Sequence, residues 1–448
     1  MELHKKYLGQ IVAFSILNGL LCGYVYGVVA GIIPLLEKTV LVTKFQISLF
    51  AGAFALGCFV ASFYTGILND LWGRKKVLII TLVFFIVGLF MFIFSDSFVS
   101  IYTSRTLQCI GFGMATVVVP MYLTEISPNA KRGKIMICFQ LSMGGGILLS
   151  SLINLWLLPA MNWHYLFYVL NIVPMLLIVM TLILPESPRW FVIKGNFDKA
   201  KEVLIMLNSA EDAQREFKEM QSKPTTKDKP KTDWKAVLER RYMVPILLVT
   251  AAVSLNQLFG MPVFIQCSVK ILQDSGIESV VIGLIGGVSI TGINFIAAIL
   301  TMFLVEKIGR MKILKIGTLA LTISLVTLAM INFFMPANLM KGYLTLIGIV
   351  VTVGLFGFGP GGVILLLCTE LLPNKVRGVG ITIAFVVGAT ISLFFVCLFL
   401  PLTDYIGYGG LFLLIGFFML CYFVLAFAIP ETKGKTLEEI EKVFEKQS

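Results

Sequence analysis

The chain has 448 residues, of which 58% are hydrophobic and only 14% are charged. A soluble domain of this length could not bury so much apolar surface, so the composition excludes a soluble globular protein and indicates a membrane protein. The net charge of +11 does not indicate nucleic-acid binding, because Lys and Arg concentrate in alternate loops, where they face anionic lipid headgroups.

Long apolar runs recur about twelve times, and each could cross about 30 Å of hydrocarbon as a helix. The runs are continuous, which excludes the alternating strands of a barrel. They lie near 9–36, 44–68, 76–95, 98–124, 133–157, 163–184, 242–272, 278–305, 311–334, 341–368, 378–402 and 408–429. The sequence therefore predicts an all-α membrane protein with twelve transmembrane helices in two six-helix pseudo-symmetric halves.

One long polar interval separates the halves, so four segments are predicted. These are an N-terminal half at 1–184, a cytosolic helical linker at 185–241, a C-terminal half at 242–429 and a cytosolic tail at 430–448. Lys and Arg lie mainly in the tails and in the even-numbered loops. By the positive-inside rule, both termini are expected in the cytosol, and the protein is expected to be a multi-pass protein of a cell membrane, plasma or inner.

Span one carries a stripe of glycines on one helix face, Gly19, Gly23, Gly27 and Gly31. This spacing favours close packing against another helix, and such a helix can also bend beside a central cavity. The turn after span two reads Asp70-Leu-Trp-Gly73-Arg74, which resembles the loop signature of the major facilitator superfamily. Its carboxylate and guanidinium can pair with charges of a neighbouring loop in one conformation and separate in another.

Two polar side chains lie within spans of the first half. Arg105 opens span four, and a buried Arg in a membrane usually faces a partner or a wet cavity. Gln140 lies in span five, where it could either tie two helices together or contact a substrate. The chemistry of the side chain alone leaves both roles open.

Several charged motifs occur twice at a half-chain spacing. Glu125-Ile-Ser-Pro-Asn-Ala-Lys-Arg132 recurs as Glu370-Leu-Leu-Pro-Asn-Lys-Val-Arg377, and the same offset carries Glu186 onto Glu431. Repeats in register indicate a transporter built from two similar halves. We predict a gating network at the cytosolic ends of the spans, formed by Asp70, Arg74, Glu125, Arg132, Glu186, Glu306, Arg310, Glu370, Arg377 and Glu431.

Two further motifs narrow the resemblance. The chain resembles the sugar porter family in two motifs, Pro-Glu-Ser-Pro-Arg-Trp at 185–190 and Pro-Glu-Thr-Lys-Gly-Lys-Thr-Leu-Glu-Glu-Ile at 430–440. The resemblance covers nearly the entire chain. The resemblance implies a small helical domain that latches the two halves on the cytosolic side. Apolar residues at helical spacing predict two short helices there, within 197–207 and 213–220.

We predict four substrate-binding amides, Gln140, Asn256, Gln257 and Asn294, and the resemblance implies this role for the last three. Amides inside a membrane are costly unless they are satisfied, and these groups both donate and accept hydrogen bonds, which suits a neutral polyhydroxylated solute.

The chain departs from the family pattern at several positions of the substrate pocket. Pro262 stands where the family usually has Asn, Gln266-Cys267 where it has Tyr-Tyr, Val363 where it has Trp, and Gly388-Ala389 where it has Asn-Trp. A pocket without both Trp residues lacks the flat walls on which sugar rings stack. The usual hexose contacts are therefore incomplete, which leaves room for a polyol, a pentose or a less polar solute.

Together these features predict a secondary transporter that moves a sugar or polyol across a membrane by alternating access. Proton-coupled sugar porters carry an Asp in span one where this chain has Val25, so facilitated diffusion is predicted. The alternatives are a proton-coupled symporter of a sugar or polyol, a porter of another small polar metabolite, and a non-transporting nutrient sensor. An enzyme is not predicted, because His4 and His164 are the only histidines and no nucleophile–base pair is visible. All eight cysteines fall inside apolar runs, and no metal or cofactor is expected.

Overall fold

A computed structural model describes residues 2–39, 43–128, 131–157, 167, 170–207, 210–222, 239–277, 279–373 and 376–433. The first part of the chain forms ten helices within these ranges, α1 (Glu2–Gly27), α2 (Val29–Thr39), α3 (Lys44–Trp72), α4 (Arg74–Ile93), α5 (Phe98–Ile126), α6 (Arg132–Leu157), α7 (Ile172–Ile183), α8 (Pro188–Ile193), α9 (Phe197–Leu207) and α10 (Ala210–Ser222). The second part forms eight more, α11 (Arg240–Leu258), α12 (Met261–Gln266), α13 (Ser268–Asp274), α14 (Val280–Ile308), α15 (Arg310–Phe334), α16 (Leu339–Phe358), α17 (Pro360–Leu371) and α18 (Arg377–Ala428).

The predicted all-helical membrane fold is confirmed. Ten helical segments of the described chain are long and apolar enough to cross a membrane. The last of them, α18, contains Gly407 in a left-handed conformation with φ 65°, which divides it into the two predicted runs at 378–402 and 408–429. The predicted run at 163–184 is described mainly as the shorter apolar helix α7. Each of the twelve predicted runs therefore coincides with helical structure.

The chain forms two compact units. The first contains Met1–Gly27, Leu56–Ile153 and Asn162–Lys231, and the second contains Val28–Ala55, Asn154–Met161 and Thr232–Ser448. The four segments drawn from the sequence use different boundaries, and they stay a prediction.

In the first unit, the glycine stripe of α1 packs against α6 as its spacing predicts. A Cβ atom on Gly23 would lie 1.9 Å from the Met143 carbonyl oxygen, and one on Gly19 would lie 2.5 Å from the Phe139 carbonyl oxygen. No side chain fits into such a contact, so the two backbones approach directly. Substitution of either glycine would force α1 and α6 apart.

In the second unit, two membrane helices are broken near each other. The first break follows α11, where Gly260 has φ 73° and a Cβ atom there would lie 2.7 Å from the Phe395 ring. The second break separates α16 from α17 at Gly359, and Pro360 begins the new helix. The rings of Phe259 and Phe356 stack with centroids 4.2 Å apart, which joins the two breaks. Broken helices inside a membrane protein are tolerated where they line a cavity.

The two short helices predicted after span six are present as α9 and α10. Their apolar faces meet, since the rings of Phe197 and Phe217 make an edge contact at 6.5 Å, while Ala200 and Leu204 are buried. Residues 223–238, which belong to the predicted cytosolic linker at 185–241, lie outside the described residues.

Candidate functional site

Three of the four predicted substrate amides belong to the second unit and lie near the two helix breaks. Asn256 and Gln257 occupy the last turn of α11, immediately before Phe259 and Gly260. Asn294 lies on α14, and its Oδ1 atom is 3.2 Å from the position that a Cβ atom on Gly357 would take, at the end of α16. Phe259 follows Gln257 by two residues and Phe356 precedes Gly357, and the rings of these two phenylalanines stack on each other.

Asn256 has unused hydrogen-bonding capacity. Its Nδ2 atom and the hydroxyl of Tyr422 are both buried and face each other, and neither has a partner at full hydrogen-bond geometry among the described residues. A buried polar group without a partner costs about 1 to 3 kcal/mol. Such a cost is typical of a position where a ligand or water completes the hydrogen bonds.

The space beside Gln257 is set by a glycine. A Cβ atom on Gly388 would lie 3.5 Å from Gln257 Cγ and 2.7 Å from Val253 Cγ1. Gly388 is one of the positions at which the chain departs from the family pattern. The absence of a side chain there lets α18 approach α11 closely beside Gln257.

Two backbone carbonyl groups at the second break accept hydrogen bonds from a side-chain hydroxyl. The Thr301 side chain donates to the carbonyl oxygens of Gly357 at 3.1 Å and Phe358 at 3.2 Å. Backbone carbonyls that lose their helical partners inside a membrane need such a donor. Thr301 therefore fixes the break that carries Gly357 next to Asn294.

The fourth predicted amide, Gln140, lies on α6 of the first unit with an exposed side chain. It is one turn from Met143, whose carbonyl contacts the glycine stripe of α1. The role of Gln140 toward a substrate stays a prediction.

A charge cluster in the first unit contains four of the predicted gating residues. Arg74 donates to both carboxylate oxygens of Glu125, at 2.8 and 3.0 Å, and lies 3.6 Å from Asp70 Oδ1. Glu125 also accepts a very short hydrogen bond from the Ser187 hydroxyl. Glu186 accepts from the backbone N–H groups of Arg74 and Lys75, so its carboxylate caps the first turn of α4.

The second unit contains the same cluster built from the repeated residues. Arg310 Nη2 donates to Glu370 Oε1 at 3.2 Å, and the Thr432 hydroxyl donates to the other oxygen of Glu370. Glu431 accepts from the backbone N–H groups of Arg310 and Met311, each at 3.1 Å. The repeat predicted from the sequence thus recurs in three contacts, the Arg–Glu pair, the hydroxyl that donates to that Glu, and the Glu that accepts from the first N–H groups of the following helix.

The two clusters differ in burial. The side chains of Arg74 and Glu125 are 3% and 5% exposed, whereas those of Arg310 and Glu370 are 15% and 25% exposed. Burial also raises the pKa of Glu186 above its usual value of 4.5, against the opposing effect of its backbone hydrogen bonds and of Arg74. The cluster of the first unit is therefore the more dehydrated of the two.

The remaining predicted gating residues do not join these clusters within their units. Arg132 pairs with Glu216 of α10 at 3.3 Å, and Arg377 Nε donates to the backbone carbonyl of Leu372 at 3.2 Å. The side chain of Glu306 lies outside the described side chains. The gating role of the whole set stays a prediction.

Arg105 is 1% exposed inside α5. Its Nη1 atom donates to the backbone carbonyl of Val25 at 2.8 Å and to Gln108 Oε1 at 3.4 Å. Val25 is the position where a proton-coupled porter is expected to have Asp. The Arg105 guanidinium thus contacts this position of α1, but its partner there is a main-chain oxygen, which cannot titrate.

Sequence reasoning missed two features of the site. One is the hydroxyl pair Ser187 and Thr432, although these residues lie at the same offset as Glu186 and Glu431 and could have been found from it. The other is an ion cluster in the second unit, where Lys270 Nζ lies 2.8 Å from Glu37 and 3.1 Å from Asp274. No sequence signal links Glu37 to Lys270.

The family model described as "Sugar (and other) transporter" matches residues 11–444. The chain is 28% identical to the probable metabolite transport protein CsbC of Bacillus subtilis, over 99% of this chain and 95% of that protein. It is 28% identical to the D-xylose transporter of Levilactobacillus brevis, over 98% of this chain and 96% of that protein. It is also 28% identical to the arabinose-proton symporter of Escherichia coli, over 95% of this chain and 90% of that protein.

Solved structures show the same fold. The xylose transporter XylE from E. coli, in a partially occluded inward open conformation, matches with a TM-score of 0.78 at 22% identity, over 96% of this chain and all of that one. The proton:xylose symporter XylE bound to 6-bromo-6-deoxy-D-glucose matches with a TM-score of 0.73 at 23% identity, over 98% of this chain and 100% of that one.

Proposed function

Because this chain belongs to the sugar (and other) transporter family of the major facilitator superfamily, we propose that it moves a neutral polyhydroxylated solute, a sugar or a polyol, by alternating access. The relatives named above include transporters of xylose and of arabinose. The observation that carries the proposal is the placement of Asn256, Gln257 and Asn294 beside two helix breaks joined by Phe259 and Phe356.

The chemistry of this site favours an uncharged solute with several hydroxyl groups. Amides offer both donors and acceptors, so each can bind a hydroxyl in either direction. Phe259 and Phe356 are buried against each other, and Val363 is fully buried. The described part of the pocket thus binds through hydrogen bonds more than through a flat aromatic wall, which fits a pentose or an acyclic polyol at least as well as a hexose.

The test is uptake by a host that lacks its own sugar carriers. Labelled D-xylose, D-glucose, L-arabinose, sorbitol and an uncharged solute without hydroxyl groups are compared with and without the carrier. We expect saturable uptake of at least one of the polyhydroxylated solutes, and competition among those that bind. Absence of uptake of all of them from a correctly inserted protein would contradict the proposal.

We further propose that transport is facilitated diffusion. The supporting observation is the hydrogen bond from Arg105 to the Val25 carbonyl, at the place where coupling would require a titratable partner. The E. coli relative named as an arabinose-proton symporter keeps proton symport as the second candidate. Glu125 and Glu370 are the carboxylates that would then carry the proton, because each is held by Arg inside a cluster that could open.

A further inference from the structure

A groove on the outside of the second unit runs along the seam between α15 and the part of α18 that follows Gly407. Its volume is about 530 Å³. The lining is apolar apart from one threonine, and it consists of Thr322, Val326, Ile406, Gly410, Leu413, Leu414, Gly416, Phe417 and Leu420. Several of these side chains are open to the surroundings, among them Phe417 at 58% and Leu413 at 49% exposed. In a membrane this surface faces acyl chains.

The two helices are antiparallel and keep a constant register along the whole seam. A Cβ atom on Gly409 would touch the Phe333 ring at 3.0 Å, and one on Gly416 would lie 3.9 Å from Val326. Farther along, Lys315 lies over Phe427. Equal numbers of residues separate these contacts on both helices. The groove and the pair of Lys315 with Phe427 therefore lie on one continuous line.

The seam ends in a positive charge. Lys315 Nζ lies 4.2 Å from the centroid of the Phe427 ring, a cation–π contact that orients the ammonium along the protein surface. Among the described residues this ammonium has no ion pair or hydrogen bond. Phe427 is 62% exposed and Lys315 is half-buried, so a ligand from the bilayer can approach the ammonium beside the ring. Lys315 is five residues from the start of α15, a depth at which lysine reaches to the headgroup layer.

The dimensions match one leaflet. Lys315 and Val326 are separated by about 16 Å along the helix at 1.5 Å per residue. Half of the hydrocarbon layer is about 15 Å thick. In the same register the groove begins at Thr322, about 10 Å from Lys315, and continues beyond Val326 toward Ile406. A headgroup at Lys315 would thus place the end of an acyl chain in the near part of the groove, between Thr322, Val326 and Leu420, at the middle of the bilayer. The lysine-rich end of the spans is the expected cytosolic side, where anionic lipids are enriched.

From this register, volume and charge, we propose that the seam between α15 and α18 binds one anionic phospholipid, with the phosphate at Lys315 and an acyl chain in the groove. A neutral lipid would fill the groove but leave the ammonium without a counter-charge. A second copy of the chain packed on the seam would bury that ammonium against an apolar helix, which is costly inside a membrane.

The test is native mass spectrometry of the full chain in detergent, titrated with phosphatidylglycerol or with phosphatidylcholine of identical acyl chains. We expect one phosphatidylglycerol to bind more tightly than phosphatidylcholine. Lys315→Met, which keeps the apolar stem over Phe427, should weaken phosphatidylglycerol binding about fivefold and leave phosphatidylcholine binding unchanged, because one lysine near the surface contributes about 1 kcal/mol.

The matched control is Lys312→Met on the same helix, since Lys312 is exposed and does not line the groove. It should change the affinity less than twofold. Equal binding of the two lipids, equal effects of the two lysine variants, or a dimer that excludes lipid would each overturn the proposal. Should Lys315→Met not be recovered folded, Leu420→Trp provides a second test. Weaker phosphatidylglycerol binding through a filled groove supports the site, and unchanged binding overturns it.

Discussion

The duplicated charge clusters allow one substitution to be made twice in different surroundings. Glu125→Gln and Glu370→Gln remove the same charge from the same kind of arginine pair. Arg74 and Glu125 are almost fully buried, so the first change leaves a dehydrated guanidinium without its counter-ion, at a cost of about 3 to 5 kcal/mol. The side chains of Arg310 and Glu370 are more exposed, so the second change should lower the free energy of unfolding by only about 1 kcal/mol.

The assay is denaturant titration of the purified carrier in one detergent, with the free energy of unfolding compared among wild type and both variants. Ionic strength provides a control, since about 1 M salt reduces the Debye length to about 3 Å and screens exposed pairs more than buried ones. We expect salt to diminish the effect of Glu370→Gln and to leave that of Glu125→Gln nearly unchanged. Equal losses in the two variants, or a larger loss for Glu370→Gln, would refute the reasoning from burial.

Three other predictions follow from single contacts. Gln257→Ala should weaken solute affinity by about 1 to 3 kcal/mol in uptake assays, whereas Gln214→Ala, on the exposed face of α10, should change it little. Lys270→Met should lower the free energy of unfolding by about 1.5 to 3 kcal/mol, because Glu37 loses its cation, and Glu37→Gln combined with it should restore part of that loss. Since burial raises the pKa of Glu186, stability should fall as the pH rises from 4.5 through the raised value, and Glu186→Gln should remove this dependence in thermal unfolding.

The sequence predicted the helices and the repeated charges because both leave local patterns. Each span is a continuous apolar run, and each cluster recurs at one offset, so Arg74 with Glu125 and Arg310 with Glu370 could be expected to share an arrangement. The difference in burial between the clusters could not be predicted. It depends on how other segments cover them, and those segments are not part of the motif.

Contacts through the main chain or between distant segments left no such pattern. Arg105 donates to the carbonyl of Val25. Because every residue has a carbonyl group, the absence of Asp at this position excluded a carboxylate partner but could not identify the acceptor. Phe259 and Phe356 are common apolar residues, and their stacking follows from the two helix breaks being neighbours in space. The close approach of Gly388 to Gln257 has the same origin.

Solute flux in sealed proteoliposomes with an imposed pH gradient tests the proposed facilitated diffusion most directly. The carrier is reconstituted with whichever labelled sugar or polyol the uptake screen identifies. A uniporter in which Arg105 is bound to the Val25 carbonyl should equilibrate the solute across the membrane, at a rate and to a level that a protonophore leaves unchanged. Accumulation above the external concentration, abolished by the protonophore, would contradict facilitated diffusion and identify the second candidate, proton symport.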